Sequence, residues 1–358
     1  MVGMLSICKP AGLLQGRDLP GGWKVLQPFA RAADATGGNF ATPYIVEKDG
    51  RRAFLKAMDL SRALLSGDIL AGLQHFTESI RFEGEMLEVC RHRGMDRVVR
   101  LIDSGQIEMD DKNSDPLARR ASTVFYFIFE LAEADLRAEI KLGQSSSSKL
   151  ETLFNVAVAI QQLHQQEIAH QDIKPSNVVM FKQGQKLADL GRASKRGKVA
   201  PNDQWAFPGD PTYMPPEFSY GYLANEYHDR RLGSDFYGLG SLMAFLFSLQ
   251  SSSPLLIDSL AAHARPNTWK GGDYKTVLPH LIDAHSRVCA YLSPYFPSDV
   301  RAELSEAYRQ LTHPDPLVRG HPRSRAQHGR PLGIDRYISL FDRLKLKQKL
   351  AEATARSR

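Results

Sequence analysis

Four polar residues near the middle of the chain have the types and the spacing that phosphate chemistry requires. The segment HQDIKPSN places Asp172, Lys174 and Asn177 within six residues, and Asp189 follows after a short predicted hairpin. Two carboxylates and an amide oxygen are hard ligands of the kind that Mg²⁺ prefers, and Mg²⁺ usually shares its shell with phosphate oxygens. A lysine beside them suits a phosphate group in transfer. These residues suggest phosphoryl transfer to a hydroxyl, in which positioning and charge neutralisation do most of the catalysis.

The N-terminal part of the chain, which would support these residues, is predicted to be rich in strands. Two runs, ATPYIVE and RAFLKAM, flank an Asp-Gly turn, and this arrangement is typical of a hairpin. A helical stretch at 61–93 and two apolar strands at 98–105 and 122–131 follow, with an exposed polar segment between the strands. Residues 1–30 contain many glycines and prolines without firm periodicity, which predicts an extended lead-in.

After residue 132 the pattern changes to helix. Leu150, Leu153 and Ala157 belong to one apolar face with helical spacing. A second hairpin with a turn at Gly184 interrupts the helices, and helix and loop continue from Asp210. The chain therefore predicts an α+β protein, with a strand-rich part joined near residue 132 to a helical part.

Length and composition limit the class of protein. The 358 residues suggest two domains or lobes at about 150 residues per domain, and 42% hydrophobic residues are ample for a packed core. Three widely separated cysteines, Cys8, Cys90 and Cys289, do not form a disulfide framework or a clustered metal site. No signal peptide is expected, and the longest apolar run, 236–247, is shorter than the roughly 20 residues of a membrane span. We therefore expect a cytoplasmic protein without a membrane span.

Positive charge is concentrated at the C-terminus. Residues 319–358 carry 11 Lys and Arg against 3 Asp and Glu, whereas the formal net charge of the whole chain is only +6. A near-neutral body argues against a dedicated nucleic-acid fold, although the basic tail could contact an acidic partner. The helix predicted at 334–353 is expected to pack on the body with a solvated basic face. The alternatives are a docking helix for an acidic partner and a membrane-surface segment.

The motifs resemble those of eukaryotic-type (Hanks-type) Ser/Thr protein kinases. HQDIKPSN resembles the kinase catalytic loop, and Asp189-Leu190-Gly191 resembles the metal-binding DFG motif. Lys174, two residues after Asp172, is a feature of the Ser/Thr members. The resemblance covers roughly residues 36–320. It implies a bilobal fold, with a small antiparallel β-sheet N-lobe that includes helix C and a mainly α-helical C-lobe.

The same resemblance implies four segments along the chain. They are an N-terminal extension at 1–30, an N-lobe at 31–131, a C-lobe at 132–320, and a basic C-terminal tail with a helix at 321–358.

The resemblance also implies a donor, an acceptor and a role for each chemical group. The donor is Mg-ATP, and the acceptor is a Ser or Thr hydroxyl of a protein substrate. Asp172 would accept the proton of that hydroxyl, and Lys174 would stabilise the γ-phosphate. Asn177 and Asp189 would ligate Mg²⁺, while Lys56 in AFLKAM would hold the α- and β-phosphates.

Further residues are implied around the nucleotide. Lys56 needs a glutamate partner on a helix; we predict Glu85, and Glu83 is the close alternative because local spacing permits either. Phe129 resembles the gatekeeper residue. The backbones of Glu130 and Ala132 would meet adenine.

The glycine-rich loop departs from the family pattern. TGGNFATP stands where GxGxFGxV is expected, so Thr36 and Ala41 replace two glycines. Gly37, Gly38 and Phe40 are the remaining candidates for contact with the phosphates. Fewer glycines give the backbone less freedom over the phosphates.

Three supporting contacts are implied as well. Glu217 in YMPPE is expected to pair with a buried Arg319, and Asp235 is expected to brace the backbone of the catalytic loop. His170 is predicted to be a buried structural histidine near Asp189, without a catalytic role.

Two substitutions affect the catalytic loop and its surroundings. Gln171 replaces the usual arginine that binds a phosphorylated activation loop, which argues against activation by loop phosphorylation. Asp210 replaces a threonine, and its carboxylate would repel Asp172 if both were ionised and close.

Three functions are compatible with this sequence. An active Ser/Thr protein kinase is favoured by the set Lys56, Asp172, Lys174, Asn177 and Asp189. A pseudokinase that acts as a binding or scaffold module is supported by the altered glycine loop and by Asp210. A small-molecule phosphotransferase is disfavoured by the Lys-Pro pair that follows the catalytic aspartate.

Overall fold

The computed structural model describes residues 9–29, 41–109 and 115–356. The chain divides into two compact units. The first comprises Met1–Met95 with Val99–Glu133, and the second comprises Asp96–Val98 with Ala134–Arg358. The limits of the four predicted segments stay predictions.

An antiparallel sheet of six strands forms the framework of the first unit, in the order β1-β2-β3-β4-β6-β5. The strands are β1 (Asp18–Leu19), β2 (Trp23–Pro28), β3 (Thr42–Lys48), β4 (Arg51–Asp59), β5 (Leu101–Glu108) and β6 (Thr123–Glu130). The predicted hairpin of β3 and β4 is confirmed: Asp49 and Gly50 turn with φ of 51° and 73°, as a two-residue Asp-Gly turn requires.

The prediction of an extended lead-in at residues 1–30 is wrong for the part that the structure describes. A 3-10 helix at Pro10–Leu13 and strands β1 and β2 cover this region, and Trp23 and Val25 are buried in the core of the sheet. The indole N–H of Trp23 donates to Asp103 Oδ2 at 3.0 Å. Buried and exposed residues alternate over only a few positions of β2, directly after a glycine turn. This alternation is too short to be recognised as a strand from the sequence.

Helices of the first unit are α1 (Ser61–Leu64), α2 (Ile69–His92) and α3 (Pro116–Ala121). The single helix predicted at 61–93 is thus interrupted at 65–68. There the Asp68 carboxylate caps α2 by accepting the N–H of Ala71 at 3.0 Å. The helix α2 contacts β6, where the rings of Phe76 and Phe125 are 6.0 Å apart.

The second unit is mainly helical, with two small sheets. Its strands are β7 (Ala134–Asp135), β8 (Ile168–Ala169), β9 (Val178–Phe181), β10 (Gly184–Leu187) and β11 (Ser194–Lys195), in the orders β10-β9-β7 and β11-β8. Its helices are α4 (Leu136–Lys141), α5 (Ser146–His164), α6 (Pro216–Ser219), α7 (Gly233–Ser248), α8 (Ser252–Asp258), α9 (Tyr274–Leu292), α10 (Arg301–Leu311), α11 (Pro322–Arg325) and α12 (Ile334–Arg356).

The most apolar helix of this unit, α7, is buried over most of its length. Among the described residues, no single helix combines the length and the apolar character of a membrane span. The consecutive helices His228–Ser248 and Ser252–Asp258 have the required length and apolar character only when they are taken together, and an 85° bend separates them.

The C-terminal helix α12 packs against α5 of the same unit, as the sequence predicts. Phe341 and Leu344 are fully buried, and the ammonium of Lys345 lies 4.1 Å from the ring centre of Phe154. At the far end of α12, Lys349 Nζ lies 3.4 Å from Glu151 Oε2. This lysine therefore has an acidic neighbour within the chain, and the structure lends no support to an external acidic partner.

Candidate active site

The catalytic loop candidate begins directly after β8 and ends in a 3-10 helix at Pro175–Asn177. A proline at the first helical position has its φ preset and lacks an N–H that would otherwise need a partner there. Asp235 of α7 fixes the start of the loop, because its buried carboxylate accepts the N–H groups of His170 at 2.9 Å and Gln171 at 2.7 Å. Gln171 adopts a φ of 64°, which is unusual for a side-chain-bearing residue and is held by this contact.

His170 is fully buried and structural, as predicted. Its Nδ1 accepts the N–H of Asp172 at 3.2 Å, so its Nε2 carries the proton and donates to Ala188 O at 3.0 Å. The ring thus connects the catalytic loop to the residue that precedes Asp189.

The Asp172 carboxylate is oriented by three donors. Its Oδ1 accepts the N–H of Asp210 at 2.9 Å, and its Oδ2 accepts Asn177 Nδ2 at 2.9 Å. Lys174 Nζ lies 2.9 Å from the same Oδ2. Only 7% of the residue is exposed, so these contacts fix the carboxylate in one orientation.

Asp210 lies close to Asp172, and a cation offsets the repulsion that the sequence predicts. Lys174 Nζ is 2.9 Å from Asp172 and 3.6 Å from Asp210 Oδ2. The other oxygen of Asp210 accepts the N–H of Thr212 at 3.0 Å and caps the 3-10 helix Pro211–Tyr213. The ammonium of Lys174 therefore forms ion pairs with both carboxylates.

The predicted magnesium ligands are brought together by a backbone hydrogen bond. The N–H of Ala188 donates to Asn177 O at 2.8 Å, so the next residue, Asp189, lies beside Asn177. The amide nitrogen of Asn177 is engaged by Asp172, which leaves its amide oxygen for a metal. Asp189 is exposed and has a φ of 67°.

This donor set fits magnesium that is bound together with phosphate. In the described ranges, no group of three or more His, Cys, Asp or Glu side chains could hold a metal ion. Asn177 and Asp189 offer one amide oxygen and one carboxylate. Mg²⁺ is commonly held by one or two carboxylates while substrate phosphates complete its shell.

In the first unit, Lys56 pairs with Glu83, so the predicted partner Glu85 is wrong. Lys56 Nζ of β4 lies 2.7 Å from Glu83 Oε1 of α2. Glu83 is buried and Glu85 is exposed, because residues two apart on a helix do not face the same way. The sequence does contain a pattern that favours Glu83. Glu83, Met86, Leu87 and Cys90 have the i, i+3, i+4, i+7 spacing of residues on one helix face, and this face of α2 is buried.

Other predicted nucleotide contacts lie in or near β6. Phe129 is 8% exposed, and its ring lies 6.5 Å from that of Phe54. Glu130 exchanges hydrogen bonds with Arg100: its N–H donates to Arg100 O at 3.2 Å, and its Oε1 accepts the N–H of Arg100 at 2.8 Å. Ala132 follows the strand and is half-buried. Contact of these groups with adenine stays a prediction.

The predicted glycine-loop residues Gly37, Gly38 and Phe40 lie outside the described residues.

A fully buried ion pair supports the second unit. Arg319 donates through Nη1 and Nη2 to the two carboxylate oxygens of Glu217, each at 2.7 Å. The side chains are 0% and 2% exposed. Burial lowers the pKa of Arg319, but the charge and hydrogen bonds of Glu217 outweigh this and leave that pKa raised.

Comparison with known proteins points to one family. The model of the protein kinase domain matches residues 38–263. A protein described as a probable serine/threonine-protein kinase from Dictyostelium discoideum is 27% identical over 257 residues, which cover 70% of this chain and 42% of that protein. A cGMP-dependent protein kinase from Plasmodium berghei is 38% identical over 105 residues, which cover 28% of this chain and 12% of that protein.

A third relative is named as a dual serine/threonine and tyrosine protein kinase. This protein, from Takifugu rubripes, is 29% identical over 157 residues, which cover 41% of this chain and 16% of the relative. The chain therefore spans less than half the length of each of these relatives.

Proposed function

Because the chain belongs to the eukaryotic-type protein kinase family, we propose that it is an active serine/threonine protein kinase. Its donor is Mg-ATP, and its acceptors are Ser and Thr hydroxyls of protein substrates. The main support is the Asp172 carboxylate, which three donors hold in one orientation beside the ammonium of Lys174. A pure scaffold has no need of such an arrangement.

In the proposed reaction, Asp172 accepts the proton of the substrate hydroxyl. The hydroxyl oxygen forms a bond to the γ-phosphorus while the bond from that phosphorus to the β-phosphate oxygen breaks. Lys174 supplies positive charge to the phosphate in transfer, and Lys56, held by Glu83, supplies it to the rest of the nucleotide. Mg²⁺, when bound, neutralises phosphate charge, and Asn177 Oδ1 with the Asp189 carboxylate would hold it.

Preference for Ser and Thr over Tyr is supported by Lys174 and by the names of the relatives, which include one of dual specificity. A cytoplasmic location stays a prediction from the cysteine content.

Transfer of labelled phosphate from Mg-ATP to the protein itself and to generic protein acceptors tests this function. We expect label on Ser and Thr, a turnover of about 1–100 s⁻¹, and loss of transfer when EDTA removes the metal. Nucleotide binding without transfer would instead indicate a pseudokinase. Label in small molecules and never in protein would indicate a small-molecule phosphotransferase.

Glu83→Gln is expected to lower kcat/KM for ATP about 10²-fold, since Lys56 would lose the anion that positions it and small displacements of catalytic groups have effects of this size. Steady-state kinetics with varied ATP measures this effect. Glu85→Gln is the matched control, because it removes the same charge from an exposed position of the same helix; we expect a change within about twofold. Equal effects of the two variants would contradict the assignment.

A further inference from the structure

A buried arginine connects the catalytic loop to the activation segment, which we define as residues 190–216. Arg231 lies in a π-helical turn at His228–Leu232, directly before α7, and is 5% exposed. Its Nη1 donates to Gln171 Oε1 at 2.9 Å and to Ala206 O at 3.1 Å. Its Nη2 donates to Asp203 Oδ1 at 3.1 Å. A single guanidinium therefore contacts both the catalytic loop and the activation segment.

Asp203 supplies the negative charge for this buried guanidinium. Burial lowers the pKa of Arg231, and the charge of Asp203 opposes that effect. A buried cation is costly unless it is paired. The side chain of Asp203 is 37% exposed, so this carboxylate lies at the rim of the contact and solvent weakens the attraction in part.

The activation segment is also folded onto itself around Asp203. The second oxygen of Asp203 accepts the N–H of Ala200 at 2.7 Å. The neighbouring Asn202 donates to Gly191 O at 3.0 Å and accepts from Arg192 Nη1 at 3.2 Å. The Arg192 guanidinium in turn lies 5.2 Å from the ring centre of Trp205. These contacts close the segment from 191 to 206 into one ordered loop.

The ordered loop reaches the catalytic aspartate along two routes. Gln171, which precedes Asp172, donates through Nε2 to Arg192 O at 3.0 Å. At the other end of the loop, Gly209 packs so closely against Gln171 that a Cβ at this position would clash with Gln171 O. The next residue, Asp210, donates its N–H to Asp172. The position of the activation segment therefore determines the surroundings of the Asp172 carboxylate.

We propose that Asp203 is a positioning residue. Its carboxylate acts through Arg231 and Gln171 to keep the activation segment in the catalytically competent conformation without a phosphate group. This proposal rests on the proposed kinase function. Phosphorylation orders such segments by adding negative charge opposite an arginine. Here the negative charge belongs to a side chain of the segment itself and needs no modifying enzyme.

The hydroxyl groups of the activation segment agree with this role. The segment contains three of them, on Ser194, Thr212 and Tyr213. Ser194 and Tyr213 are buried, and the Ser194 hydroxyl lies 3.1 Å from the hydroxyl of Tyr227. Only Thr212 is exposed to a modifying enzyme.

The first test compares the full chain before and after phosphatase treatment, with mass spectrometry to verify that the segment carries no phosphate. We expect kcat to stay within about twofold, and Thr212→Ala to behave likewise. A phosphate-free protein that is inactive, and that regains activity when Thr212 is phosphorylated, would overturn the proposal.

The second test replaces the carboxylate. Asp203→Asn is expected to lower kcat about 10²-fold with little change in the KM for ATP, since the variant displaces the catalytic loop and leaves Lys56 and Asp189 intact. Asp203→Glu restores the charge and should recover most of the activity. Asp258→Asn, at an exposed position of α8, is the matched control. An Asp203→Asn enzyme with native kcat would overturn the proposal.

Limited trypsin digestion gives a readout that does not depend on activity. Arg196 and Lys198 are exposed cleavage sites inside the activation segment. Asp203→Asn should be cleaved there several-fold faster than the native chain, while the thermal midpoint shows whether the rest stays folded. If the native chain transfers no phosphate, the kinase function fails, and digestion alone decides the role of Asp203: unchanged cleavage overturns it.

Discussion

Asp172→Ala is expected to lower kcat by about 10²–10⁴, the usual range when a general base is removed. The physical reason lies in the contacts of the carboxylate: Asn177, the N–H of Asp210 and Lys174 orient it, so no other group is held in its place. Nucleotide affinity should change little, because Asp172 is not among the groups assigned to the nucleotide. Phosphate transfer in single turnovers, with a separate nucleotide titration, measures both quantities.

Asp172→Asn sharpens this prediction. The amide oxygen of the new side chain can still accept from Asn177 and Lys174, whereas its NH₂ group faces the N–H of Asp210 and loses that hydrogen bond, and the group no longer accepts a proton. Its kcat should therefore fall as far as that of Asp172→Ala while its thermal midpoint stays closer to native. Asp258→Asn on the surface controls for the change of residue type. An Asn variant with native kcat would show that another group takes the proton.

The catalytic loop could be predicted from sequence because its functional residues are close together in the chain. Asp172, Lys174 and Asn177 lie within six residues, and a proline fixes the backbone between them. The structure brings these groups together with distances of 2.9 Å. The hairpin of β3 and β4 and the helices α5 and α12 could also be predicted from the sequence, whereas β1, β2 and the break between α1 and α2 could not.

The partner of Lys56 could not be chosen from spacing alone, since Glu83 and Glu85 differ by only two residues. The choice depends on which face of α2 is buried, and the apolar residues Met86, Leu87 and Cys90 define that face. The folded N-terminal strands were missed for a different reason. Their burial comes from contacts such as that of Trp23 with Asp103, 80 residues away, which no local pattern reveals.

The sequence correctly predicted which charged groups would approach or be absent near Asp172, but it did not reveal which cations contact the groups there. Asp210 does approach Asp172, but Lys174 lies beside both carboxylates. Likewise, the absence of an arginine at Gln171 could be read from the sequence, whereas the guanidinium of Arg231 that contacts it comes from a segment 60 residues later. In both cases the missing information was a contact between distant parts of the chain.

Glu217→Gln is expected to lower the free energy of unfolding by about 3–5 kcal/mol, the cost of leaving one partner of a buried ion pair uncompensated. Arg319 would then keep one amide oxygen at position 217 and the backbone carbonyls of His313 at 3.0 Å and of Gly233 and Pro314 at 3.3 Å each, but no anion, and the amide NH₂ would face its other N–H donor. Chemical denaturation, followed by a probe of the second unit, measures the change.

Glu306→Gln is the matched control for this prediction, because burial is the main difference between the two pairs. Glu306 also holds an arginine through both oxygens, with Arg309 Nε at 2.9 Å, but each side chain of that pair is 50% exposed. Exposed pairs contribute about 0–1 kcal/mol, so this variant should unfold close to the native midpoint. Equal losses in the two variants would contradict the role of burial. The double variant Glu217→Leu with Arg319→Met should recover much of the loss, because the cost in Glu217→Gln comes from the unpaired charge that the second substitution removes.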